Sequence, residues 1–179
     1  MSNLLRQGAF ILTAVFSALL VLFTVAQLVE DLGRWWGTAA AVALLLGAAW
    51  VSYRAVVRPR TTARWLALGV AVLAVYVVAE SVHTGDTDLS AVPVGTAVLA
   101  VPLTALGLRR AKEAGALLLA DGLLPLLSLL VLTVLSIERT GSSLSSSSEF
   151  VGIPVFVGGV LYLLAWLSGH AAAERPRRR

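Results

Sequence analysis

The chain has 179 residues, of which 58% are hydrophobic and 13% charged, too apolar a mixture for a soluble domain of that length. It contains no cysteine, which excludes disulfides, iron–sulfur clusters, thiolate zinc sites and cysteine nucleophiles. The formal charge of +4 sits in short clusters between apolar runs, with no aromatic-interleaved basic stripe, so it points to lipid headgroups and topology control and not to nucleic acid.

A bilayer core requires about 20 predominantly apolar residues per helix. Windows at about residues 8–29, 35–57, 65–83, 91–108, 114–136 and 150–170 meet or approach that requirement. The sequence therefore predicts an all-α integral membrane protein, one polytopic domain of six transmembrane helices over residues 1–179, with a basic tail at 171–179.

In the first window Thr13 and Ser17 stand one turn apart on one side, Ala14 and Ala18 form a small-residue pair, and Gln27 falls near the far end. Residues 1–26 also read as a signal peptide, with Arg6 as the charged end and Thr24-Val25-Ala26 as the cleavage site. The apolar stretch continues to Val29, longer than the usual signal core of about 7 to 15 residues, which favours a retained helix. The second window opens with Trp35 and Trp36, has Gly37 and Ala41 as a small pair, and closes with Trp50 and Tyr53. Trp65 begins the third, which ends in Glu80 and His83. The fourth is the shortest and carries Pro93 and Pro102. The fifth contains LLLADGLLPLLSLLVL, residues 117–132, and the sixth presents Gly158, Tyr162 and Trp166 on one face.

The connectors sort by charge. Arg6, then Arg54, Arg58, Arg60 and Arg64, then Arg109, Arg110 and Lys112, and last Arg175, Arg177, Arg178 and Arg179 fall on one side; of the 14 basic residues only Arg34 and Arg139 fall on the other. The positive-inside rule then places both termini in the cytoplasm of a multi-pass cell-membrane protein. The aromatic residues agree: Trp35 and Trp36 fall at the outer interface, and Trp50, Tyr53, Trp65 and Trp166 near the inner one. The outer side collects acid, and Gln27, Glu80, His83, Asp86 and Asp88 are candidates for a cation-attracting outer vestibule. The last outer connector, ERTGSSLSSSSEF, reads as a flexible serine-rich loop.

Val25-Ala26-Gln27 before Gly37-Thr38-Ala39 echoes Val78-Ala79-Glu80 before Gly95-Thr96-Ala97. The echo suggests three helical hairpins of similar build, with Gln27, Glu80 and Ser136 at equivalent outer ends.

Asp121 is the residue least suited to its surroundings. Counted from Ala114 at about 1.5 Å per residue it lies roughly 10 Å into the hydrocarbon, where insertion at a helix centre costs about 2.5 to 3.5 kcal/mol. It must face protein or water. Pro125 lacks an N–H and so withdraws the helical donor from the carbonyl of Asp121. Tyr162, Thr13 and Ser17 lie at comparable depth, and no Lys or Arg does, so a hydrogen-bonded carboxyl is expected and not a salt bridge. Asp121, Pro125, Tyr162, Thr13 and Ser17 form the candidate intramembrane polar site. It reads either as a cation or proton site or as a buried bond that specifies packing.

No catalytic constellation is found. His83 and His170 fall at opposite margins and cannot share a metal or a reaction centre. GxSxG, HExxH, GxxxxGK[ST] and GxGxxG are absent. The expectation is a protein without catalytic residues, cofactor or metal, whose partners are the lipid bilayer and a membrane protein or a second copy. Transport or binding of a small solute or cation is the leading expectation, with a non-catalytic structural subunit or assembly factor as the alternative. In size and six-helix topology the chain resembles the substrate-binding subunits of energy-coupling-factor vitamin transporters. That resemblance implies a partner-facing small-residue face at Ala14 and Ala18, and it carries over no substrate-contacting residue.

Overall fold

The structure, a computed structural model, describes residues 2–32, 34–83, 91–139 and 152–173. They form six helices: α1 Ser2–Leu32, α2 Arg34–Val57, α3 Pro59–His83, α4 Ala91–Gly107, α5 Ala111–Arg139 and α6 Gly152–Ala173. Each coincides with an apolar window, and most run several residues past it. Three of the described segments, Trp35–Val57, Pro59–Ala79 and Gly152–Gly169, are by length and composition able to cross a membrane.

Prolines set several helix starts. Pro59 opens α3, and Pro93 and Pro154 stand in the first turns of α4 and α6, where a missing N–H costs nothing. Pro59 also ends α2, because the residue before a proline is pushed out of helical conformation; only Arg58 separates the two helices. Between α4 and α5, the Arg109 and Arg110 amides both donate to the Leu106 carbonyl at 3.0 and 2.8 Å and close the last turn.

α4 sits at the centre. It touches α1, α2, α3, α5 and α6, and these five close a ring around it in that order. Val92, Thr96, Ala97, Ala100, Leu103 and Leu106 are accordingly buried, and none of the described side chains of α4 is fully exposed. At about 1.5 Å per residue its 17 residues span roughly 25 Å, short of a core about 30 Å thick. A helix sheathed by others need not present a full apolar length to lipid. The hairpins α1/α2, α3/α4 and α5/α6 are neighbours, but the expected equivalence fails, since α4 is enclosed while α2 and α6 stand in the ring.

The ring turns large apolar side chains outward: Ile11, Leu19 and Leu22 on α1, Leu46 on α2, Leu68, Val72, Val75 and Val78 on α3. So extensive an apolar exterior has lipid as its natural solvent. Trp35 and Trp36 are 88% and 78% exposed, as interfacial anchors would be. At the other end Arg54 lies over the Trp50 ring at 4.4 Å, and Lys112 over Trp166 at 4.9 Å.

Because lipid is as apolar as leucine, helix association rests on close approach. The most extensive contact is α5 with α6, and four glycines make it. Gly122 lies against Phe156 and Gly152, and Gly159 against Leu119 and Gly115. Gly115 and Gly122, and Gly152 and Gly159, are each seven residues apart, the spacing that keeps one face toward a neighbour in left-handed packing. α3 and α4 interlock reciprocally, with Leu99 over Gly69 and Leu73 over Gly95.

Candidate functional site

The five predicted inner-site residues are all buried: Thr13, Tyr162 and Asp121 at 0%, Ser17 at 1% exposed, and Pro125 among the fully buried side chains. Burial follows from the physics that singled them out, since a polar group at this depth is stable only against protein. Asp121 belongs to the stripe Ala114, Leu118, Asp121, Pro125. Gly115 and Gly122 on one side of that stripe meet α6, while Ala116 and Leu117 on the other face α3 across a cavity. The stripe between them points inward to α4.

Depth follows from the glycine contacts. Gly122 meets Phe156, and Gly158, one half-turn along α6, meets Thr13. Asp121 precedes Gly122 by one residue, so at about 1.5 Å per residue Thr13 lies roughly 1.5 Å to one side of its level and Ser17 roughly 4.5 Å to the other. Measured from the turn that joins α4 to α5, Thr96 is about 17 Å away along α4 and Asp121 about 15 Å along α5. Asp121, Ser17, Thr13 and Thr96 thus share a layer of the bundle.

The hydrogen bonds within it differ from expectation. The Tyr162 hydroxyl, expected near Asp121, donates instead to the Thr104 carbonyl at 3.0 Å, and its ring covers Gly107. Thr13 donates to the Ala9 carbonyl at 2.5 Å, and Thr104 to the Ala100 carbonyl at 2.7 Å. Both Asp121 carboxyl oxygens, Ser17 Oγ and Thr96 Oγ1 have no hydrogen-bond partner among the described residues. A buried hydroxyl left so costs about 1 to 3 kcal/mol, and a charged group more. Three unpartnered groups on three helices at one depth call for an explanation.

A cleft of about 550 Å³ opens between α1 and α2 and is floored by α4; Ser17, Ala14, Ala18, Ser52 and Thr104 line it, and Asp121 does not. Ser52 is satisfied by the Ala48 carbonyl at 2.7 Å, so Ser17 is where the cleft meets the unpartnered layer. Ala14 and Ala18, expected as a partner-facing pair, lie in this cleft.

Of the expected outer vestibule, Gln27, Glu80 and His83 fall near the ends of α1 and α3, and their side chains lie outside what the structure describes, as does that of Ser136. Asp86, Asp88 and the serine-rich connector lie outside the described residues. Among the described residues no group of three His, Cys, Asp or Glu side chains converges as metal ligands do.

Thr96 was not singled out by sequence, nor were Gly115, Gly122 and Gly152 as contacts between α5 and α6. The seven-residue spacing of Gly115 and Gly122 and of Gly152 and Gly159 was the available signal. Comparison with protein-family models, with curated proteins and with solved structures finds no match.

Proposed function

We propose that the chain is a six-span cell-membrane protein with both termini in the cytoplasm, and that it binds or transports a proton or small cation at Asp121. The observation that carries this reading is the fully buried carboxyl whose two oxygens find no partner among the described residues, near the depth of two further hydroxyls in the same condition. A scaffold that used Asp121 for packing would bond it to a neighbouring helix, because that bond is what would repay its burial. Ser17 and Thr96 supply oxygen ligands of the kind hard cations take, and the Asp121 carbonyl, released by Pro125, supplies another. The α1/α2 cleft leads toward this layer at Ser17. The absence of Asp121 from the cleft lining favours a second reading, a closed bundle acting as a non-catalytic subunit.

Proteoliposomes loaded with a pH-sensitive dye and given a sodium or potassium gradient separate the two. Dissipation of the proton or cation gradient by the wild-type protein and its loss in Asp121→Asn is the expected result, since an amide neither ionises nor carries a proton. Equal rates for both proteins would leave the subunit reading.

A further inference from the structure

A cavity of about 650 Å³ opens between α3 and α5, lined by Arg60, Ala63, Arg64, Ala67, Arg110, Glu113, Ala116 and Leu117. Its residues come from beside both short turns, α2/α3 and α4/α5, which therefore share one end of the bundle. Arg110 clasps both carboxylate oxygens of Glu113, so that pair is internally balanced. Arg60 and Arg64, one turn apart on α3, make no ion pair among the described residues and repel each other across that turn. The first turns of α3 and α5 both open toward this end, and helix N-termini add positive potential. Beyond the arginines the walls become Ala67, Ala116 and Leu117, an apolar slot that follows the helices into the region the bilayer would occupy.

We infer that this cavity binds an anionic phospholipid, its phosphate held between Arg60 and Arg64 with Arg110 alongside, and an acyl chain lying in the alanine-lined slot. Guanidinium groups match phosphate oxygens in geometry and charge, and basic pockets between helices at the inner membrane face bind lipid headgroups for this reason. A soluble phosphate would use the arginines and leave the slot unexplained. The inference rests on the membrane-spanning reading and is independent of Asp121.

The test is native mass spectrometry of the detergent-purified protein titrated with phosphatidylglycerol or phosphatidylcholine. Wild-type protein should prefer phosphatidylglycerol, and Arg60→Gln/Arg64→Gln should weaken its binding by about tenfold or more, as the loss of charge-assisted hydrogen bonds to the phosphate requires. Arg54→Gln/Arg58→Gln removes the same charge from the same end outside the cavity and should bind as wild type does. Ala116→Phe fills the slot, keeps every charge, and should also weaken phosphatidylglycerol binding. Equal losses in the two arginine pairs would show general surface attraction and overturn the site. Displacement of the lipid by millimolar inorganic phosphate, with Ala116→Phe binding normally, would make the ligand a soluble anion and overturn the lipid assignment.

Discussion

Replacing Gly122 with alanine tests whether backbone contact between α5 and α6 holds the bundle together. The added Cβ would stand 2.6 Å from the Phe156 amide nitrogen and 2.8 Å from the Gly152 carbonyl oxygen. Both are backbone atoms and cannot turn aside as a side chain would. Restoring an ordinary contact of about 3.4 Å requires the helices to part by roughly 0.8 Å, which loosens Gly115, Leu119 and Gly159 along the same seam. Overpacking of this kind costs about 1 to 3 kcal/mol, against about 1 kcal/mol that alanine returns in helix propensity. Gly47→Ala is the control, since nothing lies within 4 Å of its added Cβ. Thermal unfolding in detergent, followed by tryptophan fluorescence, should place Gly122→Ala below wild type by about 5 °C at the upper end of that cost and Gly47→Ala at or above it. A Gly122→Ala protein as stable as Gly47→Ala would refute the claim that this seam is held by glycine contact.

Tyr162→Phe removes the bond to the Thr104 carbonyl and should destabilise by about 1 kcal/mol in the same unfolding measurement; no change would mean the bond contributes nothing. Gly107→Ala drives a Cβ into the Tyr162 ring and should lower stability further than Tyr162→Phe. Cysteines introduced at Ser90 or Ser146 should react with an impermeant thiol reagent in intact cells, and one at Arg178 only after permeabilisation; the reverse pattern would invert the proposed orientation.

The six helices were legible in the sequence because lipid imposes a length and an apolarity that soluble folds do not. Thr13, Ser17, Asp121 and Tyr162 were legible as buried for the same reason. Their partners were not, because hydropathy cannot distinguish a residue that faces lipid from one that faces a helix. The bond from Tyr162 to Thr104 depends on how far α6 slides along α4, and that register depends on Gly107 admitting the ring. The central place of α4 was hidden likewise, although its Gly, Ala, Thr and Pro content contrasts with the exposed Trp and Leu of α2. The expectation of three equivalent hairpins came from short matches in an alanine-rich chain, and the packing of α4 does not follow it.

The central claim is that Asp121 serves a ligand and not the fold, and the most direct measurement is the thermal stability of wild type, Asp121→Asn and Asp121→Leu over a series of sodium, potassium and lithium concentrations. Replacing an unpartnered buried carboxyl with an apolar side chain of similar size should leave stability equal or higher. The account predicts an Asp121→Leu protein at least as stable as wild type without added cation, a wild-type protein stabilised further by one of the cations or by lower pH, and no such response in either variant. An Asp121→Leu protein that unfolds earlier than Asp121→Asn, together with a wild-type protein indifferent to cation and pH, would contradict it and make the aspartate a packing residue.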